Sequence, residues 1–223
     1  MRNHSKLLGN TLIIIVKEKR IKMINVIMIT LLLLGFQLLM NVIGEKIGYE
    51  LDKKYYAVSL IFNLVCSGIM NYKYQMYIHV IPQIILLLIT ITILISACMI
   101  DWKYQDLPDS FNLIVAILGA TDIFLFMRGN LVSHLISAVA LFAIFLILAV
   151  VTGGAIGGGD IKLMGALGLF FPYQLIPKIL IYGFFPGAVF GLILIILKKK
   201  KKEDMIAFGP FLVLGVIITI LLS

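Results

Sequence analysis

Charged residues are scarce in this 223-residue chain, and cysteine and histidine are scarcer still. Charged side chains make up 13% of the residues, against about a quarter in ordinary soluble domains. So few charges exclude a water-soluble globular protein. The two cysteines, Cys66 and Cys98, form no CxxC pair, so neither a disulfide framework nor a zinc site is indicated. The three histidines show no metal-ligand spacing, and no metal or cofactor is expected.

Apolar segments fill most of the chain, in which 61% of the residues are hydrophobic. A membrane-spanning helix needs about 20 largely apolar residues, and seven segments with almost no charge approach that length. They are residues 23–43, 55–70, 78–100, 111–127, 131–151, 179–197 and 205–222. An eighth segment, 161–171, is only half a span long and would need residues 172–176 to cross. The sequence therefore predicts an all-α, polytopic transmembrane helix bundle of about seven to eight helices, with no separate soluble domain.

Positive charge exceeds negative charge, with 19 Lys and Arg against 11 Asp and Glu. In a membrane protein such an excess belongs on cytoplasmic loops, so nucleic acid is not expected as a partner. Alternating the predicted crossings puts most of the lysines in loops 44–54, 101–110, 152–160 and 198–204, which we expect to face the cytoplasm. Residues 1–22 form a basic tail, and we favour translation starting at Met23 over a removable signal peptide.

Two aspartates are the first candidates for function, because ionisable groups in a membrane protein are costly and usually functional. Asp101 directly follows the apolar segment 78–100, and Asp160 ends a glycine-rich turn over 153–159. Two predicted helices separate them, which returns both carboxyl groups to one membrane face. Two adjacent carboxyl groups share one proton and can activate a water molecule, as in aspartic proteases. The turn's glycines permit positive φ and close approach of a substrate backbone.

Three motifs in this chain resemble those of the type IV prepilin peptidases, the membrane aspartic proteases of peptidase family A24. Gly157-Gly158-Gly159-Asp160, followed by Lys162, resembles the GxGD signature. Asp101 with Leu107-Pro108-Asp109 is similar to the first catalytic motif, and Phe208-Gly209-Pro210 to the motif that opens the last helix. The resemblance implies that Asp101 and Asp160 are catalytic. The residues implied as support or substrate contacts are Gly157, Gly158, Gly159, Lys162, Pro108, Asp109, Phe208, Gly209 and Pro210.

The resemblance also implies a division of the chain and a substrate. Residues 78–223 are expected to form the protease core, residues 23–77 N-terminal membrane helices, and residues 1–22 the basic tail. The implied substrate is a prepilin or pseudopilin precursor, whose short basic leader is removed at the cytoplasmic face of the bacterial inner membrane. Many members carry an insert with two CxxC pairs and also methylate the new N-terminus. This chain lacks those pairs, which leaves methylation uncertain, and the oligomeric state stays open.

Each acid also has a simpler interpretation. Asp160 alone fits a helix N-cap, and Asp101 alone fits a residue at a helix end. We expect Asp109 to cap the helix beginning near Phe111, Asp106 to be a solvated loop residue, and Asp122 to make a structural contact with His134 or Arg128. Lys162 either orients the site or extends to the membrane surface.

Three other functions compete with the prepilin peptidase hypothesis. A presenilin-like or signal-peptide-peptidase-like protease shares the GxGD motif but cuts within a transmembrane helix. A transporter or channel subunit would use acids near the middle of the membrane. An inactive relative would serve only as an assembly scaffold.

Overall fold

The structure is a computed structural model that describes residues 27–74, 81–154, 156–198 and 207–222. Over these ranges the regular secondary structure is helical and contains no strand. The expectations for the basic tail 1–22 lie outside the described residues. The predicted all-α, polytopic helix bundle is confirmed.

Nine helices make up the described bundle, and they follow the predicted apolar segments. They are α1 (Ile27–Lys46), α2 (Lys53–Tyr74), α3 (Ile81–Tyr104), α4 (Asp109–Phe126), α5 (Leu131–Val151), α6 (Gly158–Gly168), α7 (Ile176–Ile179), α8 (Phe185–Ile196) and α9 (Gly209–Leu222). A π-helical stretch, Leu180–Phe184, joins α7 to α8.

Five of the described helical segments are long and apolar enough to cross a membrane. They are Ile27–Lys46, Pro82–Tyr104, Asp109–Phe126, Arg128–Val151 and Tyr173–Ile196. Helix α9 is apolar but shorter, and α2 has 22 residues with a more polar sequence. Because α4 and α5 both have the length of a span, the end of α3 and the start of α6 lie at the same end of the bundle.

Helix α6 corresponds to the doubtful eighth segment. Its 11 residues extend about 16 Å, half the thickness of a hydrocarbon core. It packs between α4 and α5, and Gly168 lies so close to Ala138 that a Cβ there would come within 2.4 Å of the Ala138 Cα. Beyond it, the carbonyl of Leu169 contacts His134 Nδ1 at 2.9 Å, near the start of α5. The turn after α6, rather than further helix, therefore reaches the opposite end of α5.

Helix α3 is the centre of the bundle and packs against α2, α4 and α9. Polar side chains join it to the first two helices. Gln37 donates to Ser96 Oγ at 2.6 Å, and Asn63 donates to Gln37 Oε1 at 3.1 Å and to Thr92 Oγ1 at 2.9 Å. Polar groups between membrane helices satisfy one another in this way and fix how the helices pack. The network holds in place the helix whose last turn carries Asp101.

Candidate active site

Asp101 lies in the last turn of α3 and is only 4% exposed. Its Oδ2 accepts a hydrogen bond of 2.8 Å from the backbone N–H of Gly209, the first residue of α9. The first N–H groups of a helix have no acceptor inside the helix, and the positive end of the helix dipole favours a carboxylate there. Asp101 is therefore more than a residue at a helix end, because it is buried and anchors the start of another helix.

Residues 208–210 bring the start of α9 against Asp101. A Cβ on Gly209 would come within 2.7 Å of Asp101 Oδ2, so only glycine allows this approach. The ring of Phe208 stacks on Phe184, with centroids 5.7 Å apart, and packs against Gly187. Pro210 has no N–H to leave unsatisfied in the first turn. The third motif therefore positions a hydrogen-bond donor for Asp101.

Asp160 is the third residue of α6 and is 5% exposed. The simpler interpretation of Asp160 as an N-cap does not apply, because Gly157 is the N-cap of this helix. The Asp160 carboxyl instead lies beside Gly157, with its Oδ2 3.6 Å from where a Cβ of Gly157 would be, at the position that the third residue has in a capping box. Its other oxygen, Oδ1, is buried and has no hydrogen-bond partner among the described residues.

The structure brings the two predicted acids together. The negative charge of Asp101 acts on the carboxyl group of Asp160, and both side chains are buried at the same end of the bundle. Ionisation of one buried carboxyl group disfavours ionisation of another nearby. One can then accept a proton while the other donates one.

The glycines before Asp160 differ from the expectation in one respect. Positive φ occurs at Gly153 (68°) and Gly154 (93°), earlier in the turn, and not at residues 157–159. Gly159 is required for another reason, because a Cβ there would lie 2.7 Å from Leu107 Cβ and 2.8 Å from Leu107 O. A Cβ on Gly158 would meet no described atom within 4 Å. The motif therefore allows helix α6 to pack tightly against the loop after α3.

Asn112 is a site residue that the sequence did not indicate. It is 4% exposed on α4, and its Nδ2 donates to the carbonyl of Gly159 at 3.1 Å. Pro108 is the N-cap of α4, and Leu107 before it is buried. The segment from Leu107 to Asn112 therefore contacts the residue beside Asp160 from two directions. The only hint in the sequence was an asparagine in an apolar helix.

Asp109 and Lys162 form an ion pair next to this contact. Lys162 Nζ lies 2.8 and 2.7 Å from the two carboxylate oxygens of Asp109. The expectation that Asp109 caps α4 is wrong, because Pro108 occupies the cap position and Asp109 lies in the first turn. Both side chains are largely exposed, so the pair joins α4 to α6 at the surface and contributes at most about 1 kcal/mol.

Asp106 and Asp122 are not part of the pair, although the charge of Asp106 acts on Asp101. Asp106 is exposed and accepts a hydrogen bond from the Tyr49 hydroxyl, which, together with burial, raises the pKa of Tyr49 to about 12. Asp122 is buried within α4, hydrogen-bonded to Gln83 and close to His134. Arg128 instead donates to the carbonyl of Phe124. In the part of the chain that the structure describes, no three His, Cys, Asp or Glu side chains form a metal-binding group.

Fold and site together define a multi-pass helical membrane protein with a buried pair of carboxyl groups at one end of its bundle. Residues 87–192 match the model of the Type IV leader peptidase family. This stretch contains Asp101, the segment around Pro108 and the glycine turn with Asp160. The resemblance seen in the first two motifs is thus confirmed, while the third motif lies outside the matched stretch.

Curated relatives cover the same region. The chain is 33% identical over 135 residues to a prepilin leader peptidase/N-methyltransferase of Legionella pneumophila. That alignment covers 58% of this chain and 47% of the relative. The chain is 30% identical over 127 residues to a protein of the same name from Stutzerimonas stutzeri, covering 55% of this chain and 44% of that protein. The alignments thus span about half the length of these relatives. No solved structure matches the chain.

Proposed function

We propose that this protein is a membrane aspartic endopeptidase that removes the leader of prepilin or prepilin-like precursors. The observation that carries the proposal is the buried pair Asp101 and Asp160, held at one end of the bundle in the region that matches the leader peptidase family. The relatives' printed names supply the substrate class. Methylation of the product is not part of the proposal.

The hydrogen bonds support a separate role for each acid. Asp101 is bonded to the start of α9, which favours its ionised form, so Asp101 is the general base. The buried Oδ1 of Asp160 has no partner among the described residues, and an unpaired buried oxygen costs less in a neutral group than in a charged one. Asp160 therefore carries the shared proton and is the general acid.

Cleavage then takes two steps. Asp101 takes a proton from a water molecule whose oxygen attacks the scissile carbonyl carbon, while Asp160 donates its proton to the carbonyl oxygen. In the tetrahedral intermediate, Asp101 returns its proton to the amide nitrogen as the C–N bond breaks. One hydroxyl proton passes back to Asp160 as the new carboxyl group forms. The products are a carboxylic acid and an amine, and the pair regains its starting protonation.

The charge distribution supports a cytoplasmic site in the bacterial inner membrane. The acid end of the bundle carries Lys46, Lys53, Lys54, Lys103, Lys162 and Lys198, whereas Lys73, Arg128 and Lys178 lie near the opposite end. This asymmetry follows the positive-inside rule. The acids also lie at helix ends and not in the middle of the membrane, which is where a transporter would need them.

Cleavage of a precursor tests the proposal. The chain is reconstituted with a prepilin that has a basic leader and an apolar helix, and the product is analysed by intact mass and N-terminal sequencing. We expect one cut, after a glycine, between leader and apolar helix. Asp122→Asn is the matched control, because Asp122 is a buried acid outside the pair. Failure to cut would refute the proposal, and a cut inside the apolar helix would favour a presenilin-like enzyme.

Asn112→Val is expected to lower cleavage about tenfold, because it removes a buried hydrogen bond to Gly159 worth on the order of 1 kcal/mol or more. The rate is measured with saturating precursor, alongside the thermal unfolding midpoint in mild detergent. Ser110→Ala, an exposed position in the same turn, is the control and should behave as wild type. Unchanged cleavage by Asn112→Val would show that this bond does not support the site.

A further inference from the structure

A groove runs along α4, α5 and α6, beginning at the acid end of the bundle. We call it the α4–α6 groove; it encloses about 500 Å³. Its rim carries Asp109, Lys162 and Asn112, and its walls are apolar. Since Asn112 also binds the carbonyl of Gly159, next to Asp160, the rim is continuous with the acid pair.

The floor of the groove is lined with small residues from all three helices. Ala116 comes from α4, Ala138 from α5, and Gly165 and Ala166 from α6. In membranes, small residues at such positions let another helix backbone approach closely. The shape of the groove therefore fits a helix, and its apolar walls fit a transmembrane one.

The rim has the chemistry to receive the N-terminal end of that helix. Asn112 is 4% exposed, lines the groove, and has a buried Oδ1 with no partner among the described residues. The first four N–H groups of a helix lack acceptors, and that end of the helix is positively polarised. Asn112 Oδ1 supplies an acceptor for one of these N–H groups, while Asp109 and Lys162 at the rim neutralise each other.

We propose that the α4–α6 groove binds the apolar helix of the precursor, N-terminal end towards the acid pair. The inference rests on the proposed function, since it names the part of the substrate that this enzyme holds. A helix so placed puts the peptide bond just before its first turn beside Asp160. The groove would thereby select precursors in which an apolar helix directly follows the scissile bond.

Cross-linking in a cleavage-defective background tests this inference without requiring catalysis. Ala116→Cys is combined with Asp160→Asn, and single cysteines are scanned along the apolar helix of the precursor. We expect cross-links at precursor positions spaced three to four residues apart, as on one helix face. Val189→Cys is the control, because Val189 is exposed on α8, a helix that does not line the groove. It should give about tenfold less product, because bridging requires sulfur atoms within a few ångströms.

The outcomes separate the two proposals. Equal cross-linking from both positions, or none from Ala116→Cys, while the wild type cleaves the precursor, would overturn the groove and leave the peptidase standing. Cross-links in the expected pattern with no cleavage by the wild type would support the groove and overturn the peptidase.

As a second measurement, Ala116→Trp should raise KM for the precursor about tenfold, the effect of losing roughly 1.4 kcal/mol of binding. It should leave KM unchanged for a short peptide that lacks the helix. Val189→Trp, on the exposed face of α8 outside the groove, should change neither value.

Discussion

Asparagine in place of either Asp101 or Asp160 is expected to lower leader removal by on the order of 10³-fold or more. Asparagine has nearly the same shape as aspartate, so the packing of both helix ends is retained. It cannot take a proton from water, as Asp101 must, and it has no acidic proton to give to the carbonyl oxygen, as Asp160 must. Cleavage is measured in reconstituted vesicles from the initial rate of mature product.

The double variant should be hardly slower than either single variant, because both acids act in the same proton transfers and their effects do not add. Asp109→Asn and Asp122→Asn are the matched controls, one exposed and one buried. Both should stay within a few-fold of wild type. The acid-pair mechanism fails if either single variant, at Asp101 or at Asp160, keeps a tenth of the wild-type rate. It also fails if the control variants lose as much activity as the variants at Asp101 and Asp160.

The apolar pattern predicted most of the fold because length and hydrophobicity alone decide which segments can cross a membrane. The predicted segment 131–151 has the same bounds as α5, whose ends are set by polar residues. At α6 the prediction began at residue 161, three residues late, because glycine is a poor helix former and the sequence 157–159 suggested a turn. Tertiary contacts with Leu107 and Asn112 hold Gly159 in the helix.

The site was predictable only in part. Asp101 and Asp160 were found from their position after apolar segments and from motif spacing, and the structure brings them together. The hydrogen bond from Gly209 to Asp101 joins residues 108 positions apart, and no local pattern could predict it. The role of Asp109 as a helix cap was mispredicted by one residue, and the alternative interpretation of Asp160 as an N-cap does not hold. Preceding residues, Pro108 and Gly157, took the cap positions, and local propensity does not decide between such neighbours.

Gly159→Ala is expected to lower cleavage by about 10²-fold, because a misplacement of about 1 Å at an active site can cost that much. The added Cβ would lie 2.7 Å from Leu107 Cβ and 2.8 Å from Leu107 O, so α6 must move away from the loop after α3. Asp160 is the next residue and would move with it, away from Asp101. Both kcat and the thermal unfolding midpoint are measured.

Gly158→Ala is the matched control, because a Cβ there meets no described atom within 4 Å. Both glycines lie in the first turn of α6 with negative φ, so the two variants share the same gain in helix propensity, up to about 1 kcal/mol. Gly158→Ala should cleave like wild type and unfold at the same or a higher temperature. Adding Leu107→Gly to Gly159→Ala should restore activity only partly, because it removes the Leu107 Cβ while the Leu107 carbonyl oxygen stays in place. Equal activity in the two glycine variants would mean that the contact between Leu107 and Gly159 does not set the position of Asp160.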